Sequence, residues 1–447
     1  MQLPQSTEPQ ATPTARPSRA PRVASHVASH VAPRVASRLA PRLALAIATV
    51  AMLAACGGGG GDGGGSASPS AAATPRLCPA SVDYSTPYLG GTGSGELVKV
   101  QIDTTKMTWA VTFLDSSVPR TTGTVSPTRS DPTDGKNVMT GTLVQETALP
   151  TNKLNQCAFV LQGASLDPAR PAKLFLGEGV MGGTIPGARI QFNGLLGGGA
   201  VPDTTFPYFQ FIGFAQTETD LGKVAGLYNG SGFHEIPSKG FAQVAQDYRM
   251  SLAADGSFTV CDNKTGGTCK QKGNKFAPQA NGTLLSTNYE GEQPPNIGGV
   301  MGRAYLIVGK LRGALVPVMI RVGYASADAL PLGADDEIGI GMMAPAVSAT
   351  QGTVNGEYVG VDSAFEYKTT ALVGADAAML DPFHASDATR AIALKLDFSQ
   401  TTPGIVTTTR KEGTPGITGK LMFTGGVFGF LESRNGSPYF TIGAFVE

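Results

Sequence analysis

The sequence predicts an all-β protein of two or three tandem antiparallel meander units, each a small barrel or sandwich. Three observations carry that prediction. Short runs rich in Val, Ile, Thr, Phe and Tyr alternate with period two. Turn residues break them roughly every 8 to 15 positions, a spacing that suits hairpins rather than crossovers. Helical periodicity is scarce, with 241–247 and 376–388 the two short candidates.

Taken in order, the expected strands cover 97–102, 107–113, 157–161, 173–176, 189–192, 208–214, 248–252 and 257–260. They continue at 305–308, 318–324, 392–398, 405–409, 421–423 and 439–445. Asp255-Gly256 supplies a positive-φ glycine for one hairpin turn, and Asn435-Gly436 does so for a second. Trp109, the sole tryptophan, sits in an alternating run and is expected in the core. A membrane-spanning barrel is the rival fold, but it needs strands of roughly ten residues with polar side chains inward. The run 209–214 is apolar on both faces, Pro317 interrupts another, and the chain ends Phe445-Val446-Glu447 without a terminal aromatic.

Internal echoes suggest how the strands group. Val224-Ala-Gly226-Leu-Tyr228-Asn-Gly230 recurs 130 positions on as Val354-Asn-Gly356-Glu-Tyr358-Val-Gly360. Tyr208 to Gly213 recurs, one residue shorter, as Tyr439 to Gly443, with Ile338-Gly339 a third copy. Units at 79–222, 223–350 and 351–447 follow, each long enough for a meander barrel or sandwich. The Gly-x-Tyr opening resembles the Gly-x-Trp that begins the first strand of lipocalins, with tyrosine in place of tryptophan. Ligand binding is not carried over from that likeness. Taken whole, the chain is similar to a family of β-proteobacterial lipoproteins of unknown function.

The amino-terminal part is read separately. Residues 1–42 carry a four-residue tandem repeat rich in Pro and Arg, with nothing to pack. The apolar run from Leu43 follows Arg34, Arg38 and Arg42 and closes on Leu53-Ala54-Ala55-Cys56. It is too short to span a bilayer. The four closing residues resemble the lipobox of bacterial lipoproteins. By that resemblance residues 1–55 are a leader and signal peptide, and Cys56 is lipidated and becomes the membrane anchor. Gly57 stands where lipoproteins retained in the inner membrane usually carry Asp, so the resemblance implies the outer membrane. Residues 56–78 are then anchor and linker. Its glycine-rich stretch has a reach on the order of 25 Å for about 20 residues.

Charge and cysteine usage narrow the function classes. Of 34 basic and 34 acidic side chains, six Arg and one Glu fall in the first 55 residues, so the remainder is mildly acidic. No basic stripe interleaved with aromatics appears, and nucleic acid is not an expected partner. Beyond Cys56, an even four cysteines in an exported chain imply two disulfides, with three connectivities available. Cys261 and Cys269 flank a turn they would staple together, leaving Cys78 to pair with Cys157. No CxxC pair exists and histidine is nearly absent, so no zinc or other metal site is expected.

Candidate chemistry is thin. His234 stands beside Glu235, but neighbours on a strand point to opposite faces, and a loop position at a rim is the expectation. His384 lies close to Asp381, Ser386 and Asp387, where a helix N-cap at Ser386 or Asp387 is the plainer account. Asp335-Asp336-Glu337 lacks the alternating spacing of a calcium loop and reads as a solvated turn. Gly194 to Gly199 lacks the lysine of a phosphate cradle and reads as a loop. No nucleophile elbow or Walker loop is present, and no cofactor is implied. The expected function is therefore a β-rich binding or structural module at the envelope. Its partners are the membrane through the anchor and an envelope protein, glycan or apolar ligand. The alternative is an envelope hydrolase using His234 or His384.

Overall fold

The computed structural model describes residues 77–192, 201–263, 268–291, 301–323, 335–411, 417–434 and 436–445. The leader, Cys56, the linker up to Arg76, the glycine tract 194–199, Tyr324 and Asn435 lie outside the described residues.

The fold is all-β, as expected. The first sheet holds β1 (Tyr88–Thr92), β2 (Leu97–Asp103), β3 (Thr108–Asp115), β4 (Val138–Gln145), β5 (Ala158–Gln162), β6 (Lys173–Leu176) and β7 (Val180–Pro186). A hairpin of β8 (Arg189–Phe192) and β9 (Val201–Thr205) intervenes before β10 (Tyr208–Phe214) returns to pair with β1 and close a barrel. The second sheet holds β11 (Gly226–Ile236), β12 (Ala242–Leu252), β13 (Phe258–Asp262), β14 (Cys269–Lys270), β15 (Ala277–Pro278), β16 (Leu284–Tyr289), β17 (Gly302–Leu311), β18 (Ala314–Val322) and β19 (Ile338–Pro345). Its edge strands β14 and β15 are joined in sequence. The segment between them donates from Phe276 to Gly256 (2.9 Å) and from Asn274 to Thr287 (2.9 Å), spanning the open side. The third sheet is a closed barrel of β20 (Gly356–Asp362), β21 (Tyr367–Val373), β22 (Asp376–Leu380), β23 (Ile392–Asp397), β24 (Val406–Arg410), β25 (Thr418–Thr424), β26 (Val427–Arg434) and β27 (Ser437–Phe445).

Both helix candidates are corrected. Positions 242–247 begin β12, where Tyr248, Met250 and Leu252 take alternate inward places in a core. Positions 376–380 form β22, followed by single 3₁₀ turns at Pro382–His384 and Ala388–Arg390. Pro382 cannot donate to a strand ladder or continue a helix from within, so the chain turns there.

Apolar side chains fill most of each lumen. Trp109, Val111 and Phe113 pack inside the first barrel, Met250, Phe258 and Leu306 inside the second sheet, and Leu394, Leu421 and Phe430 inside the third. That is the reverse of the polar lumen of a membrane-spanning barrel. No described helix is long and apolar enough to cross a membrane.

The seams explain much of the glycine. Gly90 pairs with Gly213, Gly232 with Gly341, and Gly360 with Gly443, each time where a first strand meets a last. A Cβ on Gly90, Gly232 or Gly360 would lie 2.2, 2.4 or 1.9 Å from the facing carbonyl oxygen, too close for any side chain. Two residues before Gly90, Gly230 and Gly360 stand the buried Tyr88, Tyr228 and Tyr358, so the Tyr-x-Gly opening occurs three times.

The seam strands also face one another. Their outward side chains form a shared core in which Ile212 and Phe214 meet Ile307, Val316, Ile320, Met342, Val427, Phe440 and Ile442. A Cβ on Gly91 would fall 2.1 Å from Ile320, and one on Gly309 would fall 2.3 Å from the Phe214 ring. This is why 209–214 is apolar on both faces: Phe209 and Phe211 fill the lumen while Ile212 and Phe214 fill the junction. Tyr208 Oη donates to the Phe365 carbonyl (2.7 Å), and Asn229 Nδ2 to that of Pro403 (2.8 Å), stitching the sheets together.

Both expected disulfides are present, Cys78–Cys157 and Cys261–Cys269. The second links residues directly opposed on β13 and β14.

Candidate functional site

Two polar concentrations stand out, one enclosed in the second sheet and one open at the end of the first barrel. The enclosed one joins two motifs that lie about a hundred residues apart in sequence. His234 is not at a rim: it lies in β11, 4% exposed, and points into the lumen. Its Nδ1 is 2.5 Å from Glu337 Oε1, while the neighbouring Glu235 points to the opposite face. Arg321, on β18, donates to Asp335 Oδ2 and to the carbonyls of Glu337 and Tyr289. Asp335, Asp336 and Glu337 are all buried, so the reading of a solvated turn is corrected. Asp336 accepts from the Ser238 N–H and hydroxyl (3.0 Å for the latter).

Glycine makes this cluster fit. A Cβ on Gly339 would lie 2.3 Å from the His234 ring, and one on Gly291 would lie 2.3 Å from the Glu337 carboxylate. The side chains therefore fill the space and leave no room for a substrate between them. Burial raises the carboxyls of Asp335 and Asp336 above their ordinary range, against the pull of Arg321 and Ser238 respectively. Buried charges of this kind persist only when paired and hydrogen-bonded. Among the described residues, no group of three or more His, Cys, Asp or Glu is arranged to hold a metal ion.

Outside the lumen, Glu235 is 5% exposed with Gln243 Nε2 at 3.2 Å, and burial pushes its carboxyl up to about 7. His384 is the opposite case, with a half-exposed ring on the 3₁₀ turn after β22. Its Nδ1 is 2.8 Å from Asp381 Oδ2, which also accepts from Arg390 Nη1 at 3.0 Å. Asp381 caps the turn by accepting from the Phe383 N–H, and Asp387 accepts from the Thr389 N–H. Capping thus falls to Asp381 and Asp387, not Ser386. Asp381 stays below the usual carboxylate range because His384 and Arg390 outweigh its burial.

The open concentration is a groove of about 640 Å³ at the end of the first barrel. It lies between the loop after β2, the end of β4, and a one-turn helix α1 (Asn152–Asn155) that leads to the Cys78–Cys157 disulfide. Thr151 caps α1 by accepting from Leu154 N–H at 3.2 Å. Asn155 holds the preceding loop through both ends of its amide, at 3.0 and 3.2 Å from the Leu149 backbone. Among the described residues, Glu146 is the one charged lining residue. Its oxygens accept from Lys173 Nζ (2.6 Å) and from the N–H groups of Thr147 (2.8 Å) and Ala148 (2.9 Å). Burial works against the charge, but these partners hold the carboxyl below its ordinary range. Lys173 is pinned from the other side by the Phe383 ring, 3.5 Å away, which comes from the third barrel.

Sequence reasoning missed Arg321 and the groove. A lone arginine inside the apolar run 316–322 was the available signal for a buried partner. The groove gave none, because its Ser, Thr, Asn and Gln residues look like ordinary loop residues.

A comparison with curated proteins finds no match. Among solved structures, the chain is similar to a transferrin binding protein B double mutant from Haemophilus parasuis Hp5, at 9% identity and a TM-score of 0.22. It is similar also to intact Ap-TbpB (N and C lobes), at 8% identity and a TM-score of 0.19. In both cases 78% of this chain is covered, and it spans 65% and 66% of the two structures' lengths. Residues 108–444, from the start of β3 into β27, match a family profile, and the chain belongs to that family, protein of unknown function (DUF2957).

Proposed function

We propose that this chain is a lipid-tethered binding module of the cell envelope, held at the outer membrane through Cys56, with the groove of the first barrel as its ligand site. The observation that carries the reading is the groove itself: open, preorganised, and lined by hydroxyl and amide groups. It lies beside Cys78, which the disulfide fixes to Cys157. The hydrolase alternative has less support. His234 is enclosed with its carboxylate partner, and His384 is engaged with Asp381 rather than with a hydroxyl nucleophile.

The test uses the full chain in detergent as bait on envelope extract, beside Thr147→Trp and Asn152→Trp, which fill the groove from exposed positions. Wild type should retain a specific component that both variants lose. Equal retention by all three would refute the groove as the site. In cells, Cys56→Ser should abolish labelling by a fatty-acid analogue, and surviving label would refute the tether.

A further inference from the structure

We infer that the groove takes a neutral, hydroxyl-rich ligand, an uncharged oligosaccharide. The inference rests on the groove being the ligand site and goes on to its chemistry. Five side chains of the lining (Ser81, Thr105, Thr147, Asn152 and Gln156) are exposed and uncommitted among the described residues. Each offers a hydroxyl or amide that both donates and accepts. Sugar hydroxyls have the same dual character, so such a lining satisfies them in pairs.

The other ligand classes find less. An anion needs a cationic partner, and among the described residues no lysine or arginine lines the groove. Among the described residues a cation would meet only Glu146, already neutralised by Lys173 and two backbone N–H groups. An apolar ligand needs an exposed apolar floor, but Phe159 and Leu176 are 4% and 1% exposed, covered by their own neighbours. An extended peptide is held through the main chain of a free strand edge. The first barrel has none to offer, because β1 and β10 pair and close it.

The rim is held before any ligand arrives. The disulfide fixes Cys78 to Cys157, Asn155 bonds the loop at Leu149, and Gln145 Nε2 donates to the Ala158 carbonyl at 2.9 Å. Binding then orders only the exposed side chains, which lowers its entropic cost.

The experiment is calorimetry on the full chain in detergent with four probes. Two are neutral sugars, a β-1,4-linked glucose hexamer and a β-1,4-linked N-acetylglucosamine hexamer. The others are a galacturonate hexamer and an uncharged Gly-Ser decapeptide. At least one neutral sugar should bind, with affinity unchanged as salt rises from about 0.05 to 0.5 M. The double variant Asn152→Ala/Gln156→Ala should weaken it about tenfold or more with an unshifted melting temperature. Preference for the galacturonate or the peptide, steep salt dependence, or no neutral binding at about 10 mM would overturn the inference. If those results came with groove-dependent retention of an envelope component, the ligand class alone would be wrong. If retention also ignored the groove, the site assignment would fall with it.

Discussion

The end of the first barrel and the end of the second sheet are built on the same plan and used in opposite ways. Both carry Tyr-x-Gly on the opening strand and a glycine pair at the seam. In the second, two carboxylates, an arginine and a histidine are drawn inside, matched to one another and packed around glycine. In the first, the Glu146–Lys173 ion pair sits at the groove wall beside uncharged side chains that face solvent. The difference teaches that a histidine–carboxylate contact is weak evidence for catalysis until access is considered. Enclosed, it is closed to substrate; the open and chemically quieter end is the one a ligand can reach.

The comparison can be broken at its charged end first. Arg321→Met removes the partner of Asp335 and leaves two carboxylates buried, so stability should fall by about 3 to 5 kcal/mol. Urea unfolding measures this, and a loss under about 1 kcal/mol would show the cluster to be hydrated rather than enclosed. At the open end, replacing Cys78 and Cys157 together by Ala frees a long loop and should cost roughly 3 to 4.5 kcal/mol in the chain-entropy model. Ligand affinity should fall with it as the rim loosens, whereas Arg321→Met should leave affinity alone.

Glu235→Gln sharpens the contrast through pH. Folding raises this carboxyl from an ordinary 4.5 to about 7. Below the lower value it is protonated folded or unfolded, and the substitution should change little. As pH climbs from there through 7 the folded state loses stability, because ionisation is easier in the unfolded chain. Above about pH 7.5 the glutamine variant should be more stable by about 3 kcal/mol, an order-of-magnitude figure from the shift. Melting curves at pH 4.5 and 8 decide it, and a gain that is the same at both would show that Glu235 is not the titrating group. The smallest effect should come from His234→Gln with His384→Gln. Glutamine can still donate to Glu337, and His384 is at the surface, so stability and ligand binding should each change by less than about 1 kcal/mol. Loss of a measured turnover would revive the hydrolase.

Strands with two-letter alternation were legible from the sequence because one face was polar or the side chains were β-branched. All fourteen runs overlap strands, from β2 at 97–103 to β27 at 437–445. Six of the strands that went unread share a cause. In β1, β7, β11, β19, β20 and β26 glycine stands where another backbone or another barrel approaches closely, and glycine normally signals a turn. The first Tyr-x-Gly copy, Tyr88 and Gly90, was missed for that reason. The cysteine pairing was legible because four cysteines leave few choices. The burial of Asp335 to Glu337 was not, because its compensating partners come from β11 and β18, set by tertiary register rather than local pattern.

The glycine seams also fix a sequence of events in time. Because Gly90 waits for Gly213, Gly232 for Gly341 and Gly360 for Gly443, no meander can close until its last strand has been synthesised. Until then β1, β11 or β20 presents an unpaired, narrow edge, the form of polypeptide most open to pairing with a neighbouring chain. The shared core comes later still, since it takes walls from all three sheets. A nascent chain stopped short of β27 therefore has a third barrel that cannot shut, and with it an apolar junction left uncovered on the first two. Contacts so distant along the chain make the final step slow, and it is during that interval that the uncovered apolar surface is most open to aggregation.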